Sequence, residues 1–278
     1  MSLSRRGVTL IEMIVTIALL ALVSGIALRL LLRQHWTGEA QSERAALQGN
    51  LRAAVLYLES EIRELGGSPG DPDIIAFAPE SLTYRSMRSA GTSCVMSPSA
   101  LTVSIADLYG YRAPQAGRDS LLVFMEGSPA ISSDDRWLHL PLISVSGGSC
   151  GGRPALVLGT AIDTAATPLS WFPPLAPFRS FEIMQARLYS SGGDYWLGAR
   201  SVSAAEIIQP LAGPFLLHGL AMQCLDSLGA PAGSAGGIRS VDIMLRGVSA
   251  APIRTGAGMG LPQRRSDSLS THVLLRNW

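Results

Sequence analysis

The stretch Arg5-Arg6-Gly7-Val8-Thr9-Leu10-Ile11-Glu12 opens an apolar run that continues to Leu32, and this run decides how the rest of the chain is arranged. Between residues 8 and 32 the run has only two charges, on Glu12 and Arg29. At about 1.5 Å of rise per residue, a helix of this length crosses the roughly 30 Å hydrocarbon core of a bilayer. The sequence therefore predicts a transmembrane helix over residues 8–32.

The charges at the two ends of the run indicate its orientation. Arg5 and Arg6 precede it, and the positive-inside rule places that end in the cytoplasm. Arg29 lies near the far end, where its long side chain can reach the headgroups. No small-residue cleavage site of the kind that ends a secretory signal peptide follows the run. We therefore expect a retained inner-membrane helix, with residues 33–278 outside the cytoplasm.

Glu12 is the unusual residue of the run. An ionised carboxylate near the edge of the hydrocarbon costs a few kcal/mol unless it finds a partner. A plain membrane anchor would have an apolar side chain at that position, so we expect Glu12 to have a function within the membrane. The alternative is an ordinary signal anchor in which this glutamate has no function.

The heptapeptide Gly7-Val8-Thr9-Leu10-Ile11-Glu12-Met13 resembles the processing and methylation motif of type IV prepilins and of their pseudopilin relatives. Its one departure is Val8, where Phe or Met is commoner. The resemblance implies that prepilin peptidase cleaves after Gly7 and that the freed amine of Val8 is methylated. It also implies that Glu12 pairs with the Val8 amine of a neighbouring subunit. The assembly residues would then be Thr9, Leu10, Ile11 and Glu12.

Beyond the membrane the helical pattern continues over residues 33–65. Apolar residues recur at spacings of three and four, which places them on one face of an α-helix, with charged residues between them. The glycine- and proline-rich stretch of residues 66–72 ends the pattern. The residues of this predicted buried face are Leu47, Leu51, Val55, Leu58, Ile62 and Leu65.

Past Pro72 the chain changes to short runs of strand-forming residues separated by Gly, Ser and Pro. A proline-rich aromatic stretch over residues 167–178 divides them into two β-rich subregions, 73–178 and 179–278. The predicted strands are 81–85, 101–105, 120–124, 137–140, 155–158, 181–189, 195–197, 215–225, 240–246 and 269–275. The predicted fold class is therefore α+β, with a long N-terminal helix packed on an antiparallel β-sheet.

Residues 5–65, and more loosely 215–278, also resemble minor pilins of the PilW kind and J-type pseudopilins of type II secretion. This resemblance implies a pilin-like fold with a large β-rich insertion. The middle of the chain matches neither group, and any function particular to this protein would lie there.

Three cysteines are present, and an extracytoplasmic location permits a disulfide. Cys94 and Cys150 lie in small-residue contexts that look like loops, whereas Cys224 lies in an apolar run that favours a buried thiol. We therefore expect a Cys94–Cys150 disulfide. Three scattered cysteines do not form a metal site.

Composition excludes several functions. The net charge is +1, so no strong field attracts nucleic acid, and all 22 basic residues are arginine. The four histidines lie far apart, and no nucleophile elbow, phosphate loop or zinc motif occurs. We expect no catalytic residues, cofactor or metal. Residues 70–73 and 132–135 offer clustered oxygens to calcium, although turn and cap chemistry explains them as well.

Three functions from different classes remain. The first is a minor pilin of a type IV pilus, with pilin or pseudopilin subunits, prepilin peptidase and the inner membrane as partners. A minor pseudopilin of type II secretion or of a competence pilus would assemble through the same interactions of its N-terminal helix. The second is a signal-anchored extracytoplasmic enzyme, for which no converging catalytic set is found. The third is a tip module that binds DNA or a surface ligand, for which a basic stripe with aromatic residues would be expected.

Overall fold

The N-terminal part of the chain forms one α-helix, as the sequence predicts. A computed structural model describes residues 9–68, 71–128, 130–253 and 261–276. Helix α1 spans Leu10–Arg63, 54 residues, so the membrane run and its amphipathic continuation form one uninterrupted element. The helix ends just before Gly66 and Gly67, where the sequence predicts its end.

The rest of the chain is almost entirely β-structure, as expected for the α+β class. The strands are β1 (Gly67–Ser68), β2 (Asp71–Pro72), β3 (Ile74–Ala78), β4 (Ser81–Ser97), β5 (Ala100–Ser104), β6 (Tyr109–Gly110), β7 (Ser120–Met125), β8 (Arg136–Pro141), β9 (Ser144–Cys150), β10 (Arg153–Gly159), β11 (Pro177–Ser191), β12 (Asp194–Ser201), β13 (Gln209–Leu225), β14 (Ser240–Val248) and β15 (Ser266–Leu274).

Among the described residues, thirteen of these strands form one sheet, and β1 and β2 form a separate pair. The main order is β15-β14-β13-β12-β11-β4-β5-β10-β9; β3 and β6 also pair with β4, β7 pairs with β11, and β8 pairs with β7. Strands β4 and β11 are the centre of this arrangement. They pair antiparallel from Pro177 opposite Thr92 to Arg187 opposite Ser81, with one irregularity after Ser180.

The chain divides into two compact units. One comprises Met1–Gly49 and Val248–Asp267, and the other comprises Asn50–Gly247 and Ser268–Trp278. In the first unit, the backbone N–H of Ala251 donates to Oε2 of Glu43 on the helix, over 3.2 Å. In the second unit, the last turns of α1 pack against the sheet.

The predicted apolar face of the helix is buried. Its six residues are at most 7 % exposed, from Leu47 to Leu65, and Ala54 on the same face is fully buried. This confirms the amphipathic interpretation, because residues between them, such as Leu56, remain exposed.

A hydrophobic cluster fills the space among β5, β7, β8, β10 and the start of β11. Leu121, Val123 and Leu158 are completely buried in it, and Phe172 and Ala176 of the proline-rich stretch before β11 also belong to it. Its buried residues are Leu101, Val103, Leu121, Val123, Met125, Leu140, Leu142, Leu158, Ile162, Phe172, Ala176 and Phe178.

The structure departs from the predicted strands at several places, and the departures at β9 and β4 concern the cysteines. Strand β9 has the sequence Ser-Val-Ser-Gly-Gly-Ser-Cys, which has low intrinsic strand preference, yet it pairs with all seven residues of β10. Strand β4 runs on to Ser97, twelve residues past its predicted end at Arg85. Cys94 and Cys150 therefore lie in strands, and the expectation that both are in loops is wrong. Tertiary pairing overrides local composition at both places.

Candidate assembly site

Thr9 and Glu12 form the N-terminal cap of helix α1. The backbone N–H of Glu12 donates to the carbonyl oxygen of Thr9 over 3.1 Å, and Thr9 Oγ1 lies 3.3 Å from the same nitrogen. A threonine before the first helical residue, followed three positions later by a glutamate, is the sequence of a capping box. The Thr-Leu-Ile-Glu sequence therefore also starts the helix, a local role that the sequence analysis missed.

The Glu12 carboxylate has no partner among the described residues. It lies in the first helical turn, where the helix dipole favours negative charge, and its residue is exposed. Within the described residues no hydrogen bond or ion pair holds this carboxylate. Leu10 and Ile11 beside it are also exposed, at 80 % and 72 %. The predicted processing residues, Gly7 and Val8, lie outside the described residues.

The apolar run of α1 is not covered by any of the described residues. The helix is long and apolar enough to cross a membrane, and no residue of its most apolar 18-residue window is buried. A continuous apolar surface of this size is not tolerated in water and indicates a lipid or protein environment. Its large exposed side chains include Leu19, Leu20, Leu22, Val23, Ile26, Leu28, Leu30 and Leu31.

The last turns of α1 are fixed to the sheet by specific polar contacts as well as by the apolar face. Asn50 Nδ2 donates to the carbonyl of Gly213 over 2.7 Å. The hydroxyls of Tyr57 and Tyr84 lie 3.3 Å apart, and burial raises the pKa of both phenols. At the end of the helix, the N–H of Arg276 donates to the carbonyl of Arg63 over 3.1 Å. The chain just after β15 is therefore also bonded to the end of α1.

Glu61 links the helix to a buried network of charges. Ser86 Oγ on β4 donates to Glu61 Oε2 over 2.6 Å, and Arg88 Nη1 lies 4.0 Å from Glu61 Oε1. Arg88 in turn donates from Nε to Glu182 Oε2 on β11 over 2.9 Å. Helix, β4 and β11 are therefore joined by one chain of charge-assisted contacts.

Glu182 is the centre of that network. Its side chain is 1 % exposed, and guanidinium groups of Arg88, Arg112 and Arg118 lie within 3.1 Å of its oxygens. Arg112 also forms a bidentate pair with Asp119, at 2.5 and 2.7 Å, and Arg118 lies 2.5 Å from Glu206. The network thereby fixes the loop that carries both arginines, residues 111–119, onto β11.

Ser201 and two arginines lower the pKa of Glu182. Burial by itself raises the pKa of a carboxyl group. Hydrogen bonds from Ser201 and Arg88 and the charges of Arg88 and Arg118 outweigh burial, and the pKa of Glu182 falls below its ordinary value. The buried carboxylate is therefore ionised, and the surrounding guanidinium groups compensate its charge, although its Oε1 accepts no hydrogen bond of good geometry.

The disulfide joins the pair of cysteines expected from the sequence. Cys94 on β4 and Cys150 at the end of β9 are bonded, with 6.3 Å between their Cα atoms. Because β5 and β10 lie between β4 and β9 in the sheet order, the bond closes this part of the sheet on itself. Cys224 is a free, buried thiol, and burial raises its pKa to about 11.

The histidines and three of the candidate calcium ligands have local partners. His35, His139, His218 and His272 lie 2.5–3.1 Å from Glu39, Asp71, Glu80 and Asp242, respectively. Asp71 also pairs with Arg85, Asp73 accepts from the N–H of Gly66, and Asp134 accepts from the N–H of Ser128. Across the described residues, no three His, Cys, Asp or Glu side chains converge as metal ligands would.

Comparison with known proteins adds one finding, at the N-terminus. The family description of the prokaryotic N-terminal methylation motif matches residues 3–28. The matched segment contains Arg5, Arg6, Glu12 and most of the apolar run, and it supports a protein like the type IV pilins and pseudopilins. Neither a curated protein nor a solved structure matches the chain.

The charge network around Glu182 was not found by sequence reasoning. Its members come from four separate parts of the chain, and none stands in a recognisable motif. The one available signal was Glu182 itself, a carboxylate between the apolar residues Phe181 and Ile183. A charge at such a position requires a partner, although the sequence does not say which.

Proposed function

We propose that this protein is a minor pilin, a structural subunit that takes part in assembly or initiation of a type IV pilus or forms part of its tip. The observation that carries the proposal is the methylation motif at residues 3–28, which continues into a helix whose apolar surface no described residue covers. An anchor needs only the helix, whereas the motif adds a processing site and an intramembrane carboxylate.

Assembly would proceed through α1. After cleavage behind Gly7, the amine of Val8 and the carboxylate of Glu12 are both unfavourable in lipid, and pairing between neighbouring subunits offsets both costs. The capping contact from Thr9 starts the helix immediately beside that pair. Exposed leucine, isoleucine and valine side chains of residues 10–32 would then pack against the same segment of other subunits as these leave the bilayer.

The helix would carry the folded domain into the filament, where the domain would have a structural role rather than an enzymatic one. The buried face after Asn50, the Glu61–Arg88–Glu182 chain and the disulfide all stabilise a fixed attachment of helix to sheet. The proposed location is the inner membrane, with the N-terminus in the cytoplasm and the domain outside, followed by the pilus. The same motif would serve a minor pseudopilin of type II secretion or of a competence pilus, and its co-purifying subunits distinguish these systems.

A substitution at Glu12 tests the proposal. Glu12→Ala removes the intramembrane carboxylate and leaves cleavage after Gly7 possible, so processed protein should accumulate in the membrane. Loss of a pair worth a few kcal/mol should lower its amount in sheared filaments about tenfold or more, since each 1.4 kcal/mol is a factor of ten.

The matched control is Glu39→Ala, which removes an exposed glutamate of the same helix outside the motif. This variant should be processed and incorporated like the wild type. Normal incorporation of the Glu12→Ala protein would contradict the proposed assembly role.

A further inference from the structure

Strand β9 lies at one end of the main sheet, and only one of its edges is paired, with β10. The turn that joins the two strands shows which backbone groups face the free edge. Gly151 and Gly152 both have positive φ angles, 57° and 81°, as in a two-residue type I′ hairpin. In such a hairpin the flanking residues, here Cys150 and Arg153, form a hydrogen-bonded pair.

Hydrogen-bonded and non-hydrogen-bonded pairs alternate along β9, so every second residue, starting with Cys150, bonds to β10. Pro154 agrees with this alternation, because it has no N–H and lies opposite Ser149, at a pair that needs none. The N–H and C=O groups of Val145, Gly147 and Ser149 therefore point to the free edge. Among the described residues, no backbone group bonds to them.

This free edge lacks the features that normally keep strand edges from pairing. Strand β9 contains no charged residue, no proline and no bulge. The strand at the other end of the sheet, β15, carries Asp267 and His272. Gly147, at the centre of β9, is exposed, and a Cβ at that position would have no atom within 4 Å. Another backbone can therefore approach β9 closely at this point.

The free edge is complementary to itself. When two copies of β9 lie antiparallel with Gly147 opposite Gly147, Val145 of each copy lies opposite Ser149 of the other. All the residues that face the edge are then hydrogen-bonded pairs, with about six bonds in total, two for each pair. A shift of two residues in either direction loses one pair, because the N–H of Ile143 already donates to Gly159 and the next residue on the other side lies in the turn.

The neighbouring side chains fit the same register. Ile143, which is 61 % exposed, would lie opposite Gly151, whose missing side chain leaves room for it. Arg153, the first charged residue after β9, would lie opposite Pro141, so no like charges meet. A second copy of the chain therefore supplies the backbone groups, the space and the charge balance that this edge requires.

We propose that the free edge of β9 is a dimerisation surface, on which β9 of a second copy pairs antiparallel about Gly147 and joins two sheets into one. The inference does not depend on the proposed function, because β9 lies wholly in the second unit and the contact uses no residue of α1. A strand pair of this length is small beside the roughly 1,600 Å² of a standard interface, so the dimer should be weak and should depend on protein concentration.

Spin labels on the full chain in phosphatidylcholine vesicles test the pairing. Ser146→Cys and Ser144→Cys each provide one reactive thiol at an exposed position, and electron paramagnetic resonance measures the distance between the labels of two copies. Pairing about Gly147 puts the two Cα atoms of residue 146 about 8 Å apart and those of residue 144 about 21 Å apart. We expect a strong dipolar interaction at 146 and a longer, defined distance at 144.

Three controls separate the dimer from labelling artefacts and from crowding. The wild-type chain should take up no label, because Cys94 and Cys150 are bonded to each other and the Cys224 thiol is buried. Leu228→Cys, at a position 90 % exposed and outside β9, should show no defined distance between copies. Dilution of the labelled protein with an excess of unlabelled wild type should remove the interaction at 146.

Charge substitutions at the centre of the strand test direct contact. Gly147→Glu places two carboxylates opposite each other, and Gly147→Lys places two ammonium groups there. Each variant alone should dimerise about fivefold more weakly than the matched control Gly147→Gln, and an equal mixture of the two should recover the loss. The fraction of Ser144→Cys labels at the longer distance measures the dimer in each sample.

The results that contradict the proposal are equally specific. No interaction between labels at 146, at the highest protein density in the vesicles, would overturn the dimer. Equal distances at 146 and 144, or an interaction at 228 as strong as that at 146, would overturn antiparallel pairing of β9. A mixture of the Glu and Lys variants that dimerises no better than either variant alone would show that the two strands do not meet at Gly147.

Discussion

At the residue scale, Glu182 shows how a buried charge can organise a domain. Its carboxylate is 1 % exposed and lies among three guanidinium groups supplied by β4 and by the loop of residues 111–119. Burying an ion is unfavourable by several kcal/mol unless its partners are in place. The arrangement therefore stabilises only the conformation in which the loop of residues 111–119 packs against β11.

Replacing Glu182 by Gln should destabilise the folded domain by about 3–5 kcal/mol, because three arginines would be left without their shared counter-ion. Denaturant unfolding of the detergent-solubilised protein measures this change. The control is Glu206→Gln, which removes a pair of Arg118 that is 37 % exposed, and should cost about 1 kcal/mol or less. Equal effects of the two substitutions would refute the central role of Glu182.

The pH dependence of stability follows from the same residue. The pKa of Glu182 is lower in the folded state than its ordinary value, so the unfolded chain binds the proton more readily. Its stabilising contribution is therefore complete above the unfolded pKa of about 4.3 and is lost as the pH falls through the folded pKa. The thermal midpoint should fall in acid, and Glu182→Gln should reduce that dependence; an unchanged acid slope in the variant would argue against this linkage.

At the element scale, helix α1 has two different surfaces in one continuous segment. Periodicity in the sequence predicts the buried face from Leu47 to Leu65, because 3.6-residue spacing is set by backbone geometry alone. The absence of periodicity before Leu32 predicts a segment that is apolar all round. Both predictions succeed since they depend on local sequence.

The two halves of α1 should respond differently to the same substitution. Leu58→Ala, at a position 1 % exposed, should destabilise the folded domain by about 2–5 kcal/mol through the cavity it leaves. Leu19→Ala, at a position 58 % exposed, should leave the unfolding of the domain unchanged. Denaturant unfolding compares them directly, and a large loss of domain stability in Leu19→Ala would mean that the apolar run packs on the domain.

The strand pairings could not be predicted in the same way. Strand β9 is rich in serine and glycine, and only its pairing with β10 makes it a strand. The disulfide then connects it to β4 across a sequence separation of 56. Replacing both Cys94 and Cys150 by Ser should destabilise the domain by about 2–4 kcal/mol by freeing this long loop in the unfolded chain. An unfolding midpoint unaffected by reducing agent would contradict this expectation.

At the scale of the whole molecule, the predictable part is the order of the described parts along the chain: apolar helix, amphipathic helix and β-rich region. The contacts between distant parts were not predictable, because Arg88 and Glu182 are 94 positions apart and meet only when β4 pairs with β11. The motif around Glu12 is the exception, since its residues are adjacent in sequence and the role we propose for it depends on other subunits rather than on the fold.

The most direct test of the account is the intact mass and N-terminal sequence of the membrane-extracted protein, produced with an active prepilin peptidase. The account predicts a chain that begins at Val8 and is heavier by about 14 Da, the mass of one added methylene. The same protein from cells without the peptidase should begin at Met1. A chain that begins at Met1 in both cells would contradict the pilin-like function and leave the Glu12 carboxylate without a role.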